Sequence, residues 1–268
     1  ILVLIGVITV TFSLMYVIPG DPARLMLGQR ADIASIDAVR KQLGLDDPLY
    51  VQYGRFMVKA VQGDLGRSYS SNRDVLKTIL ETFPATALLA VTALIISSII
   101  GILIGVISSV KPYTWTDNLS MLLALFGISF PPFALGLIMA LVFGAWLKWF
   151  PISGYVNNGM IYLVLPMLTL ALRPLSIIAR LTRSSMLDVL GQDYVRTARA
   201  KGVSEWKVII KHALRNAMNP VLTTISAWLA ALLGGTFFIE YIFNWPGIGL
   251  LAINSILSLD FPMIQGTV

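Results

Sequence analysis

Long uncharged runs set the pattern of this chain. A helix that crosses the hydrocarbon core of a membrane needs about 20 mostly apolar residues. Runs of this kind, free of charged side chains, cover residues 1–18, 85–110, 118–147 and 216–239. A fifth run, residues 160–179, is interrupted by two prolines and Arg173. We interpret it as a span rather than a surface helix because its first part is almost wholly apolar.

The two ends of the pattern are less regular. Residues 1–18 lack the basic start and the A-x-A cleavage site of a signal peptide, so we predict a retained helix. Residues 241–259 are uncharged, but they contain a proline and two glycines that would leave backbone groups unsatisfied in lipid. We predict a re-entrant or interfacial segment there and a further span from Pro262. We expect the native polypeptide to continue beyond both ends.

Basic residues orient these helices. Residues 180–217 contain eight Lys and Arg and three Asp and Glu. Residues 148–159 contain a single basic residue, Lys148. Short loops rich in Lys and Arg stay in the cytoplasm. The predicted organisation is a first helix at 1–18, an extracytoplasmic segment at 19–84, and a core membrane domain at 85–268 that includes a cytoplasmic loop at 181–217.

Both extramembrane segments show helical patterns. Between residues 32 and 61, apolar residues recur at helical spacing with a break at 44–48, which predicts two short helices. They could cap a pore, contact a soluble partner or pad the loop. In the cytoplasmic loop, Asp193 is a candidate cap for a helix that runs to Lys201. Gly202 suits a helix end, and Ser204 can cap a second helix.

The second cytoplasmic helix is predicted to be amphipathic. Its apolar stripe holds Trp206, Ile209, Ile210, Ala213, Leu214 and Ala217, and three basic residues form another stripe. One interpretation is a helix that rests on anionic lipid. The other is a helix pair that docks into a cytosolic protein.

Composition agrees with a membrane protein. Of the 268 residues, 56% are hydrophobic and 13% are charged, and the mean hydropathy is +0.78. The net charge of +6 does not indicate a nucleic-acid-binding protein, because so apolar a chain has too little polar surface for a soluble basic domain. The absence of cysteine and the single histidine, His212, exclude disulfides, thiolate nucleophiles and a metal centre with several histidines.

Catalytic patterns are missing from the sequence. Acidic residues are scattered, and none lies in the four uncharged runs. There is no G-x-x-x-x-G-K-[ST] phosphate loop, so any ATP hydrolysis must occur on another chain. The match of residues 247–252 to G-x-G-x-x-[GA] follows no strand, and we treat it as chance.

Two features inside the spans indicate a transport path. The sequence S-F-P-P-F from Ser129, which includes Pro131, would break the third span, and broken helices often line such paths. A kink without function is the alternative. Arg173 is costly in lipid and usually faces a cavity or a partner. It could contact a substrate carboxylate, or it could pair with backbone carbonyls freed by Pro174.

One pair of glycines suggests close helix packing. Gly101 and Gly105 form a G-x-x-x-G pair, which lets a neighbouring helix approach closely. Two incidental glycines are the alternative.

Motifs along nearly the whole chain resemble one family, the first of the two permease types of ABC importers for dipeptides, oligopeptides, glutathione and nickel. These motifs are specific in combination. They are Pro19-Gly20-Asp21-Pro22, Leu43-Gly44-Leu45-Asp46, Gly63-Asp64-Leu65-Gly66, the segment Arg180 to Met186, Asp193 to Gly202, His212 to Asn216, and Asn244 to Gly249.

The resemblance implies a coupling site. Such permeases share E-A-A-x-x-x-G, followed nine residues later by I-x-L-P, and this chain keeps Ala198, Gly202 and Leu214 of that pattern. The resemblance therefore implies that this loop contacts an ATPase subunit. The candidate coupling residues are Asp193, Tyr194, Arg196, Ala198, Arg199, Lys201, Gly202, Glu205 and Leu214.

The resemblance also implies a gate. Glu240 and Trp245 are expected on the extracytoplasmic side, near the gate and the binding protein. With Ser129, Pro131 and Arg173, they complete the candidate translocation residues.

The implied architecture is an all-α, polytopic bundle with the type I ABC importer permease fold. About six transmembrane helices are expected, the last of them largely absent from this chain. It would form half of a permease heterodimer in the bacterial inner membrane, with a second permease, two cytosolic ATPases that bind ATP and Mg, and an extracytoplasmic binding protein. No cofactor, metal or nucleic acid is expected on this chain.

The expected substrate is a di- or oligopeptide, with nickel or glutathione as the alternative. A stand-alone secondary transporter is the rival class, but it would need intramembrane carboxylates.

Overall fold

The computed structural model describes residues 2–17, 23 and 32–268, and this part of the chain forms helices and no named strand. The first helices are α1 Leu2–Val17, α2 Ile33–Leu43, α3 Leu49–Val61, α4 Val75–Val110, α5 Trp115–Ser129 and α6 Pro132–Met139, which a π-helix, Ala140–Trp146, continues. Two 3₁₀ turns, Val156–Asn158 and Met160–Leu163, precede α7 Val164–Leu190. Next come α8 Asp193–Ala200, α9 Glu205–Lys207, the π-helix Val208–Leu214 and α10 Arg215–Gly235. The last are α11 Phe237–Ile242, α12 Ile248–Leu257 and α13 Phe261–Thr267.

Four of the five predicted spans correspond to long helices. Val75–Val110, Met160–Leu190 and Glu205–Gly234 are each long and apolar enough to cross a membrane. Trp115–Ser129 and Pro132–Trp146 qualify together as one bent span. The polytopic all-α prediction is confirmed.

The predicted first span is only partly described. Helix α1 has 16 residues and therefore rises about 24 Å, short of a hydrocarbon core of about 30 Å. The residues that follow it, including the Pro19–Pro22 motif, lie outside the described part. The first span therefore stays a prediction.

Residues 246–268 do not form a simple crossing in the described structure. Helix α12 has 10 residues and so rises only about 15 Å, half of the hydrocarbon core. This length agrees with the predicted re-entrant or interfacial segment.

The chain divides into two compact units. One contains residues 1–85 and 246–268, and the other contains residues 86–245. The C-terminal segment thus groups with the N-terminal one.

A buried carboxylate explains this grouping. Asp260, which is 2% exposed, immediately precedes α13. Its carboxylate accepts hydrogen bonds from the Tyr69 backbone N–H at 2.9 Å and from the Ser70 hydroxyl at 2.8 Å, and also from Ser68. Several donors to one carboxylate satisfy a charge that would otherwise be costly to bury. They tie the loop before α4 to the start of α13.

The predicted pair of short helices is confirmed in the first unit. Helix α2 begins after Asp32, whose side chain accepts a hydrogen bond from the Ser35 backbone N–H. It ends at Gly44, whose left-handed φ of 63° a glycine adopts at little cost. Phe12 of α1 packs against Tyr53 and Phe56 of α3, with ring centroids 5.3 and 5.9 Å apart.

The second unit is built around α7. A Cβ on Gly105 of α4 would lie 2.5 Å from Cβ of Thr182, and one on Gly101 would lie 2.9 Å from the Leu175 carbonyl oxygen. A Cβ on Gly127 of α5 would lie 2.2 Å from Oγ of Ser176. The close packing predicted for the G-x-x-x-G pair is therefore confirmed, since glycines let both helices approach the α7 backbone.

Candidate functional site

The break in the third span lies where the sequence predicted it. Helix α5 ends at Ser129, and Phe130 and Pro131 take extended conformations before α6 begins at Pro132. Proline lacks a backbone N–H and pushes the preceding residue away from helical geometry. The two halves of the span consequently meet at an angle of 103°.

A cavity of about 300 Å³ opens at this break. Its wall comes from the α5–α6 break and from α7, α10 and α11, and it is mainly apolar and aromatic. Pro131 and Arg173, which the sequence singled out separately, both line it, and Pro174 adjoins Arg173 there. The structure thus brings together two of the five predicted translocation residues.

Arg173 is the charged residue among those that line this cavity. Its side chain is exposed, and it forms no hydrogen bond or ion pair with any residue in the described ranges 2–17, 23 and 32–268. An unpaired guanidinium in an apolar wall is available to a carboxylate ligand, which it can bind through two parallel hydrogen bonds.

The other three predicted translocation residues lie elsewhere. The Ser129 hydroxyl donates to the Leu125 carbonyl at 2.8 Å, within its own helix. Glu240 is fully buried, and its Oε1 accepts hydrogen bonds from the hydroxyls of Thr86 at 2.7 Å and Thr236 at 2.6 Å. Trp245 is also fully buried, with its ring 4.8 Å from that of Tyr155. In this conformation neither Glu240 nor Trp245 is among the residues that line the cavity, and their predicted place near the gate stays a prediction.

The loop that is predicted to be cytoplasmic folds as two helices joined at a glycine, as the sequence predicted. Helix α8 ends at Ala200, and Gly202 follows with a left-handed φ of 76°. The Val203 N–H donates to the Ala198 carbonyl at 3.2 Å, which closes the helix end in a Schellman-type turn. Ser204 precedes α9 but makes no side-chain capping bond.

The predicted cap at the start of α8 was wrong. Gln192, not Asp193, occupies the N-cap position with an extended backbone. Asp193 is the first residue of the helix, where its charge complements the positive end of the helix dipole. It also lies 3.6 Å from the guanidinium of Arg196.

The buried face of the loop rests on the end of α7. Val195, Ala198 and Val208 are buried and pack with Val189 and Leu190. Leu214 packs against a second cluster, which consists of Met186, Ile209, Ala213 and Ala217. These contacts pack both helices of the loop against the end of α7.

Trp206 does not belong to the buried stripe, contrary to the prediction. It is 72% exposed, and Ile210 is 37% exposed. The residues from Val208 to Leu214 form a π-helix, in which each residue turns through a smaller angle than in an α-helix. A stripe extrapolated at 3.6 residues per turn therefore loses its register across this segment.

Polar contacts fix the turn between the two helices. Arg199 donates two hydrogen bonds to the Glu205 carboxylate, at 2.6 and 3.0 Å, across the Gly202 turn. The hydrogen bonds to Glu205 raise the pKa of Arg199 above its usual value. Asn216 of α10 donates to the Tyr194 hydroxyl at 2.8 Å. The outer face presents Tyr194, Arg196 and Lys201, all exposed.

One partly buried ion pair was not predicted from the sequence. Arg183 of α7 donates two hydrogen bonds of 2.6 Å to the carboxylate of Asp117 of α5, which is 1% exposed. The two residues are 66 positions apart. The available signal was that each charge lies within four residues of an apolar run, but nothing in the sequence pairs them.

The first unit holds a larger cavity of about 500 Å³ with a mixed polar and apolar wall. Two of its basic residues already have acidic partners. Arg55 bonds to Asp47 at 2.5 Å, and Lys59 lies 3.7 Å from Asp64.

Comparison with known proteins gives a consistent result. Residues 99–268 match the family described as "Binding-protein-dependent transport system inner membrane component", and residues 1–90 match the N-terminal family of the same membrane components. The chain is 46% identical over 257 residues to the glutathione transport system permease protein GsiC of Escherichia coli (strain K12), which covers 96% of this chain and 83% of that protein. It is 45% identical over 265 residues to GsiC of Salmonella paratyphi A, covering 99% of this chain and 86% of that protein.

Proposed function

The chain belongs to the family of inner membrane components of binding-protein-dependent transport systems, the multi-pass permeases of ABC importers, and we propose that it forms half of a path for glutathione. The observation that carries this substrate is the 46% identity to a glutathione permease along 96% of the chain. The similarity favours the glutathione alternative over the di- or oligopeptide that the motifs first suggested.

The cavity beside the α5–α6 break supports this substrate class. Glutathione is a short peptide with two carboxylates, and Arg173 offers a guanidinium that has no partner among the described residues. The rest of the wall is mainly apolar, so Arg173 would be the group that orients a bound carboxylate. In this proposal Arg173 binds a substrate carboxylate, and the break at Pro131 keeps the helix from filling the path.

The cytoplasmic helix pair supports the coupling role. Its outer face carries Tyr194, Arg196, Lys201 and Trp206, which are exposed, and Tyr, Trp and Arg are enriched in protein interfaces. Its inner face is packed on α7. A movement imposed by an ATPase on the outer face would therefore be transmitted to α7 rather than absorbed by a loose loop.

The proposed importer also contains a second permease, two ATPases and an extracytoplasmic binding protein. ATP and Mg would bind to the ATPases, and this chain would be neither an ATPase nor any other enzyme. Alternating access requires contacts that differ between inward-open and outward-open states. Here the contacts of α7 would differ between the two states, since α7 reaches from the helix pair to the cavity.

The proposed substrate can be tested by measuring glutathione uptake in the source organism. A strain that lacks this gene should lose uptake of radiolabelled glutathione, and the wild-type gene should restore it. Uptake of a radiolabelled dipeptide and of ⁶³Ni²⁺ is measured in parallel. Loss of either one with glutathione uptake intact would contradict the proposed substrate.

Cysteine cross-linking tests the coupling role. Lys201→Cys should form a disulfide with a cysteine placed in the docking cleft of the ATPase. Ala198→Cys is the matched control, because Ala198 is only 8% exposed and faces the α7 end. Transport without any cross-link from Lys201→Cys or from Arg196→Cys would refute docking through this face.

A further inference from the structure

Asp117 and Arg183 form a partly buried ion pair with several hydrogen bonds in the second unit. Arg183 binds both carboxylate oxygens, and the Tyr113 N–H donates to Asp117 at 2.8 Å. The Arg183 guanidinium also lies over the Tyr113 ring, 5.9 Å from its centroid. Tyr113 belongs to the turn between α4 and α5 and has a left-handed φ of 63°. The pair therefore joins the end of α4, the start of α5 and the last part of α7.

The position of this pair along the two helices matters. From Asp117, α5 runs about 18 Å to the break at Ser129. From Arg183, α7 runs about 15 Å back to Arg173 in the cavity wall and about 10 Å forward to Leu190 beneath the cytoplasmic helix pair. The same two helices meet again at Gly127, next to Ser176. Helices α5 and α7 are thus fastened at two points, one near the cavity and one near the cytoplasmic loop.

The chemistry of the pair indicates a role beyond stabilising the fold. Taking a carboxylate and a guanidinium out of water is expensive, and an apolar pair of similar volume often stabilises a fold as well or better. What a bidentate pair adds is a fixed geometry, because two parallel hydrogen bonds hold the planar guanidinium and the carboxylate in one alignment. Asp117 and Arg183 therefore hold α5 and α7 in one relative position.

We propose that the Asp117–Arg183 pair is a coupling joint, which makes α5 and its break move together with α7 when the cytoplasmic helix pair is displaced. The inference rests on the proposed coupling function. Without the joint, the contact at Gly127 near the cavity would still link α5 to α7, but a push on the helix pair would be passed to α5 less completely. Asp117 and Arg183 are positioning residues in this scheme, and neither touches substrate.

The test is the number of substrate molecules transported per ATP hydrolysed by the whole transporter in liposomes, with the radiolabelled substrate identified by the uptake assay. Asp117→Asn keeps the shape of the side chain and removes its charge. We expect it to hydrolyse ATP while the ratio of transport to hydrolysis falls about tenfold, a typical size for the coupling between two sites. Asp46→Asn is the matched control, because Asp46 pairs with Arg40 at 3.3 Å while 57% exposed. This variant should keep the wild-type ratio.

A second variant separates coupling from folding. Asp117→Asn with Arg183→Gln removes both charges, so that no unpaired charge remains buried. It should assemble and remain uncoupled. If transport and hydrolysis fall together, in proportion to the amount of assembled transporter, the pair is merely structural and the proposal is wrong. Failure of both variants to assemble would also count against it.

The Lys201→Cys cross-link distinguishes this proposal from the docking role. In Asp117→Asn the cross-link should still form, because docking precedes the transmitted motion. If the wild-type background gives no cross-link, the docking role fails. If the cross-link forms and Asp117→Asn couples normally, only the joint is refuted.

Discussion

Helix α7 and the helix that leads into α10 are similar in length and both apolar, but the rest of the chain covers them to different extents. Met160–Leu190 and Glu205–Gly234 have 31 and 30 residues, and both are apolar enough to cross a membrane. In an apolar stretch of 18 residues within Met160–Leu190, 50% is buried inside the chain. In the corresponding stretch of Glu205–Gly234, only 17% is buried. Hydropathy therefore indicates which segments enter the membrane, but not which of them the chain surrounds with its own helices.

The neighbours of the two helices explain the difference. Gly101, Gly105 and Gly127 allow α4 and α5 to approach α7 closely. Near the end of α10, a Cβ on Gly234 would meet nothing within 4 Å. The uncovered surface of α10 is where lipid or the proposed second permease would lie. The following changes test this contrast, from the largest expected effect to the smallest.

Gly105→Ala should have the largest effect on stability. Its Cβ would lie 2.5 Å from Cβ of Thr182 and 2.6 Å from the Ala179 carbonyl oxygen, so α4 and α7 must separate. Overpacking of this kind costs about 1–3 kcal/mol. The thermal unfolding midpoint of the purified transporter in detergent should fall clearly. An unchanged midpoint would show that the contact between α4 and α7 is loose.

Arg173→Ala should impair transport without affecting folding. Loss of a hydrogen bond to a charged ligand costs about 1.5–3 kcal/mol, which corresponds to a tenfold or greater loss of apparent substrate affinity in the uptake assay. Arg173→Lys should fall between wild type and alanine, because an ammonium lacks the planar fork. Wild-type uptake by Arg173→Ala, at equal protein level, would assign this residue to structure alone.

Gly234→Ala is the counterpart of Gly105→Ala on the uncovered helix. Alanine is favoured over glycine in a helix by about 0.8–1 kcal/mol, and no atom of the described chain opposes the added methyl group. The unfolding midpoint of the isolated chain should rise slightly or stay the same. A fall seen only in the whole transporter would place a partner against this face.

Glu205→Gln should have the smallest effect on stability. The pair with Arg199 is exposed, 41% for Arg199 and 55% for Glu205, and exposed ion pairs contribute about 0.2–1 kcal/mol. The change in unfolding midpoint should be small and should shrink further at high salt. A loss as large as that of Gly105→Ala would mean that the turn at Gly202 depends on this pair.

Local features were predictable because their causes are local. The break at Pro131 follows from two prolines, and the end of α8 follows from a glycine that adopts a left-handed φ. The exposure of Trp206 was not predictable, since a π-helix changes the angular register between it and the buried stripe. The N-cap at Gln192 was missed by one residue, within the usual uncertainty of helix ends.

The amino-acid sequence by itself determined that this is a helical membrane protein, where its helices break, and which motifs it shares with importer permeases. These properties depend on hydropathy and on backbone preferences within a few residues. Only the tertiary structure decided that α7 is the central helix, that Arg173 and Pro131 share one cavity, and that Asp117 meets Arg183. Such contacts join residues far apart in the chain, and their energies depend on geometry that appears only when the helices pack.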